Sequence, residues 1–197
     1  DIHRSGQHLL TLINEILDIT KLESGQIELD DVQFDIGALI EDCLTIFRAK
    51  AEQQNVELIS LVQSQVPRVL SGDPTRLPQT LLSLLEHALP TPHGGAILLV
   101  AALDTRSGKP RLRIAVQDTG EPLSPQERDA LLHTELHSKN FLASSKLGGH
   151  LGLVIARQLL LMMNGEIGIQ NSTGQGNTLW LSLPLPAGAP VPASVNF

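Results

Sequence analysis

The apolar period of the chain changes at Gly25, and that change constrains the fold more than any other feature. Ahead of it, Ile2, Leu9 and Ile16 are spaced by seven, and Leu12 and Ile19 occupy the complementary heptad positions. Leu10, Ile13 and Leu17 widen the same face. So broad an apolar stripe needs other helices beside it, most simply in a four-helix bundle. Ile2, Leu9, Leu12, Ile16 and Ile19 are therefore the candidate interface. Gly25, after Lys21-Leu22-Glu23-Ser24, is placed to end this helix as a left-handed cap.

Beyond Gly25 the periods are mixed. Strands are expected at 26–29, 32–34, 56–62, 96–103, 112–116, 166–170 and 178–183. Helices are expected at 36–53, from Asp73-Pro74 to about 89, at 125–132 and at 151–163. In the second of these Asp73 is the expected cap and Pro74 the first helical residue. Asn164-Gly165 should stop the last helix. Residues 133–149 form a polar loop, and the chain from Pro184 onward is rich in Pro and Ala. The expected class is α+β, a two-layer α/β sandwich preceded by one long helix. The boundaries are 1–25 for that helix, 26–185 for the sandwich and 186–197 for a linker.

Composition narrows the function. The 197 residues suffice for one domain plus an appendage. The single cysteine, Cys43, excludes an internal disulfide and is expected to be a buried thiol. A net charge of −7, one tryptophan and no tyrosine argue against nucleic acid as a partner. The longest uninterrupted apolar run, Ala96 to Leu103, is too short to span a bilayer, so the segment is expected to be soluble.

Five stretches, in order along the chain, resemble the sensor histidine kinases of two-component systems. SGQHLLTLINEILDITKLESGQIEL at 5–29 resembles the second helix of the dimerisation and histidine-phosphotransfer hairpin and its exit. GDPTRLPQTLLSLLEHAL at 72–89 is similar to the N-box helix, and QDTGEPLSPQE at 117–127 to the first glycine box. LGGHLGLVIARQL at 147–159 and NGEIGIQNSTGQGNTLWLSLPL at 164–185 resemble the second glycine box and the closing hairpin. The resemblance implies the Bergerat, or GHKL, ATP-binding fold, with ATP between the helical layer and a lid. It also implies Mg²⁺ as cofactor and pairing through the dimerisation helix, with itself or with another sensor kinase. The longer protein would be a hybrid inner-membrane sensor with receiver domains, and this chain a cytoplasmic part of it.

The resemblance also assigns residues. Asp118 is the carboxylate that accepts from the adenine amino group, and an acceptor is what that donor requires. Gly120 follows it in the box. Thr178 is the threonine supporting the same carboxylate or the adenine. Gly148, Gly149 and Gly152 are lid glycines, whose backbone amides can cradle phosphates. Ser83 and His87 stand where the family has Asn-x-x-x-Asn, the second asparagine being the Mg²⁺ ligand.

The departures cluster on the phosphate side. His87 offers nitrogen where magnesium wants oxygen. Pro90 replaces a lysine, Pro122 a box glycine and His150 a lid glycine. The phosphoacceptor pattern Ser-His-Glu is absent, and His3 lies on the second helix, so this chain carries no catalytic residue. Weak or absent ATP and Mg²⁺ binding is expected. The alternative is a fully active ATP-dependent kinase that phosphorylates a histidine on the first hairpin helix.

Overall fold

The computed structural model describes residues 17, 20–22, 24–89, 94–106, 108–133, 151–171 and 176–185. The seam residues Ile2, Leu9, Leu12, Ile16 and Ile19 lie outside them. Thr20 to Leu22 are helical, and Gly25 ends the turn at φ +64°. The Gln26 amide donates to the Lys21 carbonyl (3.0 Å) and the Gly25 amide to the Leu22 carbonyl (3.2 Å). These are the two bonds of a Schellman cap, as the glycine's position predicts.

Among the described residues, seven strands and four helices follow: β1 (Val32–Asp35), α1 (Ile36–Gln53), β2 (Val56–Val62), β3 (Val69–Gly72), α2 (Arg76–His87), β4 (Gly95–Asp104), β5 (Arg111–Asp118), α3 (Pro125–His133), α4 (Leu151–Met162), β6 (Glu166–Asn171) and β7 (Asn177–Pro184). The main sheet has the order β2-β4-β5-β7-β6. Only the β2–β4 pair is parallel; the other three are antiparallel. A separate ribbon pairs β1 with β3.

Alternation along the strands builds the two layers. Ile97, Leu99 and Ala101 of β4, Leu112, Ile114 and Val116 of β5, and Leu179 and Leu181 of β7 are buried on one face. Leu39, Ile40, Leu44 and Phe47 of α1, Leu77, Leu81, Leu84 and Leu85 of α2, and Leu153, Ala156 and Leu160 of α4 join the same core. Each buried aliphatic side chain contributes about 1.5–3 kcal/mol. The two-layer α/β sandwich is therefore the observed fold. Cys43 is buried in this core, and burial pushes its thiol up to about 11.

Three local expectations change. Residues 26–31 form no strand; instead Ile27 buries against Leu151, Val154, Ile155 and Leu159 of α4. A strand of four residues, β3, appears where none was expected. Helix α2 starts at Arg76, two residues after Pro74, so the cap position falls on Thr75, which makes no side-chain cap bond; Asp73 stands two residues ahead of it, and its Oδ1 accepts from the Thr75 and Arg76 amides, both at 2.8 Å. At the end of α4, Asn164 takes φ +56°, and the Gly165 amide donates back to Leu160 at 2.6 Å. This is the stop expected of Asn164-Gly165.

Candidate functional site

The site is organised around one buried carboxylate. Asp118 ends β5 on the core face, following Ile114 and Val116, and is 3% exposed. A carboxylate so placed must be hydrogen-bonded. Its Oδ1 accepts from the Gly120 amide (2.8 Å), the Asn177 amide (3.2 Å) and Asn177 Nδ2 (3.2 Å). Its Oδ2 receives Asn177 Nδ2 at 3.3 Å. Burial nevertheless pushes the Asp118 carboxyl above the ordinary range, against the lowering effect of these bonds.

Asn177 is the residue that the sequence reading missed. Its Nδ2 also donates to the Glu121 carbonyl (3.0 Å), and its Oδ1 accepts from the Leu123 amide (2.8 Å). One side chain thus joins the end of β5, the loop after it and the closing hairpin. Thr178, expected to support the carboxylate or the adenine, is not among the residues bonded to the carboxylate. It pairs with Gln117, and alternation sends it to the face opposite Asp118. The correction is one residue of register, and it follows from Leu179 and Leu181 facing the core. Gly176, at φ +79°, makes the approach possible: a Cβ there would lie 2.1 Å from the Asp118 carbonyl oxygen.

The loop after β5 tolerates its proline. Pro122 sits between Glu121 and Leu123, whose carbonyl and amide are the groups that Asn177 holds. The missing Pro122 N–H is not one of the bonds that pin the loop. A capping box follows: the Ser124 amide and hydroxyl both donate to Glu127 Oε2, at 2.8 and 2.7 Å, and the Glu127 amide returns to Ser124 Oγ.

On α2, Ser83 and His87 are one turn apart and both half-buried. Ser83 Oγ donates back to the Gln79 carbonyl at 3.0 Å. A serine hydroxyl reaches one bond less far than an asparagine amide oxygen, and this one is tied to its own helix. Glu86 points elsewhere and pairs with Lys50 at 2.7 Å. This donor set does not fit magnesium, which takes hard oxygens in a near-ideal octahedron. Among the described residues no cluster of three or more His, Cys, Asp or Glu could hold a metal ion. The carboxylate at the end of β5 differs: Asp118 Oδ2, with one long partner, keeps capacity for a further donor. Gly152 lies in the first turn of α4, whereas Gly148, Gly149, His150 and Pro90 are outside the described residues.

Fold and site together define a two-layer α/β sandwich with a buried acceptor carboxylate at one end of its central strand. Residues 72–187 match the family described as histidine kinase-, DNA gyrase B- and HSP90-like ATPase, and the chain belongs to it. The relatives it resembles are sensor kinases. It is 41% identical over 186 residues to the sensor protein GacS of Pseudomonas syringae pv. syringae, covering 94% of this chain and 20% of GacS. It is 32% identical over 195 residues to the sensory/regulatory protein RpfC of Xanthomonas campestris pv. campestris, covering 98% of this chain and 27% of RpfC. The chain thus spans about a fifth to a quarter of these relatives. Among solved structures, full-length ShkA in complex with AMPPNP superposes with a TM-score of 0.77 at 29% identity, over 95% of this chain and 38% of ShkA. The Acinetobacter baumannii histidine kinase AdeS superposes at 0.72 with 18% identity, over 92% of this chain and 81% of AdeS, which supports the fold. Among the described residues no helix is long and apolar enough to cross a membrane.

Proposed function

We propose that this chain is the ATP-binding region of a hybrid sensor histidine kinase whose adenine side is kept and whose magnesium side is eroded. The observation that carries this is the contrast within one site. Asp118 is buried and held by Gly120 and Asn177, while Ser83 is bonded to its own helix and His87 offers imidazole in place of an amide oxygen. The ShkA complex with AMPPNP supports a nucleotide as the ligand class. Binding is then weak and nearly indifferent to Mg²⁺, and phosphoryl transfer by this segment is impaired. The module regulates instead by pairing through its dimerisation helix, with a second copy or with another sensor kinase. Receiver domains and an inner-membrane anchor complete the longer protein, of which this chain is a cytoplasmic segment.

A titration with a fluorescent ATP analogue, with and without Mg²⁺, tests this. The proposal expects a weak affinity that Mg²⁺ leaves unchanged. The identity to GacS favours a second reading, an unimpaired ATP-dependent kinase acting on a histidine of the first hairpin helix. That reading expects micromolar, Mg²⁺-dependent binding, and such a result would replace the first.

A further inference from the structure

A cavity of about 290 Å³ opens at the far end of the domain from Asp118. Leu112 lines it at the start of β5, and Asp118 ends the same strand six residues later. At about 3.3 Å per residue, the two sites are roughly 20 Å apart. The walls are apolar: Phe34 and Leu70 of the β1–β3 ribbon, Leu112, Leu183, Met162 and Met163. The two methionines give those walls adaptable shape.

The charged groups among the described lining residues are of one sign. Asp30, Asp31 and Asp73 contribute carboxylates, and among the described residues no Lys, Arg or His lines the cavity. Asp73 is 4% exposed, and its oxygens are occupied by backbone amides: Thr75 and Arg76 on Oδ1, and Asp30 on Oδ2 at 3.1 Å. It therefore holds residue 30 at the rim and adds negative charge there. Asp30 and Asp31 are exposed and line the cavity. The volume lies at the lower end of the range for small-molecule sites.

We propose that this cavity is a binding site for a small amphiphilic cation: an alkyl body of about eight carbons among the leucines and methionines, and a primary ammonium at Asp30 and Asp31. Charge complementarity favours the cation, since the charged groups among the described lining residues are carboxylates, and the nearby Arg111 guanidinium is engaged with Ser182, Glu166 and the Asn164 carbonyl. The position gives the ligand a second effect. Residues 29–31 lead into the sandwich and residues 183–185 lead out of it, and both line the cavity. An occupant therefore ties the connection from the dimerisation helix to the exit strand.

The chain's only two methionines, Met162 and Met163, both line the cavity, so a spectrum of protein labelled with ¹³C at the methionine methyls reads it directly. Octylamine is the probe, with octanol and octanoate as neutral and anionic controls of equal length. The two methyl signals should shift saturably with octylamine, at an affinity on the order of two- to fivefold above octanol and further above octanoate. Asp30→Asn together with Asp31→Asn should remove the preference for the amine while leaving the spectrum folded. Met162→Trp, at a rim position that is 37% exposed, should block all three probes. Unmoved methyl signals, equal response to the three probes, or an amine preference that survives in the double variant would each overturn the proposal. An ATP analogue added first should change none of these shifts, which separates this site from the one at Asp118.

Discussion

Replacing Asn177 with alanine should unfasten the end of β5. The substitution removes the Nδ2 donor shared by both Asp118 oxygens, the bond from Nδ2 to the Glu121 carbonyl and the bond from the Leu123 amide. The Asn177 and Gly120 backbone amides still reach Asp118, so the carboxylate keeps two donors. A net hydrogen bond is worth about 0.5–1.5 kcal/mol, and one to a charged group about 1.5–3 kcal/mol. The Glu121 and Leu123 groups lie beside solvent and recover part of their loss from water. The expected cost is about 3 kcal/mol, which for a chain of this length corresponds to roughly 6–12 °C in Tm. Thermal denaturation followed by circular dichroism measures it, with Thr178→Ala as the matched control. The control should cost under about 1 kcal/mol, the span of strand propensity, because Thr178 faces away from the carboxylate. If Thr178→Ala destabilises as much as Asn177→Ala, the assignment of Asn177 as the clamp is wrong.

Three further outcomes follow from the same geometry. Gly176→Ala forces a Cβ onto the Asp118 carbonyl and an L-residue into φ +79°, and should cost about 3 kcal/mol or more; an unchanged Tm would show that the hairpin is not held against β5. Asp118→Asn removes a carboxylate whose pKa is raised on folding, mainly by burial. The parent's folded state favours the protonated acid, so it loses stability as pH rises from the ordinary value of 3.8 through the raised folded value; the Tm difference should move in favour of Asp118→Asn across that window, and a pH-independent difference would refute it. Leu12→Asp and Ile16→Asp should weaken self-association or pairing with sensor kinases, read by light scattering and pull-down, while the sandwich stays folded; association equal to the parent would remove the seam as the interface.

Much of this fold was legible because its periods are clean. The apolar pattern of 36–53 and the run 56–62 correspond to the observed α1 and β2 at both ends. β3 was missed because it has four residues, follows Pro67 closely and pairs with β1 more than thirty residues earlier, so no local pattern marks it. Ile27 and Leu29 alternate like a strand, but their burial comes from packing on α4 and its neighbours rather than from a partner strand. At the site, Asp118 was legible from its box, whereas Thr178 was one register position off. The family resemblance points to the threonine; the alternation of Leu179 and Leu181 decides for Asn177.

The central claim is that the nucleotide site has kept its adenine side and lost its magnesium side. The measurement that tests it most directly is the ratio of ATP-analogue affinities with and without Mg²⁺, in the parent and in the variant carrying Ser83→Asn, His87→Asn, Pro122→Gly and His150→Gly. The four positions serve one ligand and are coupled, so they are changed together. The account predicts a ratio near one for the parent, and both tighter binding and a clear Mg²⁺ dependence for the variant. A parent that already binds tightly and only with Mg²⁺, or a variant as weak and Mg²⁺-indifferent as the parent, would contradict it.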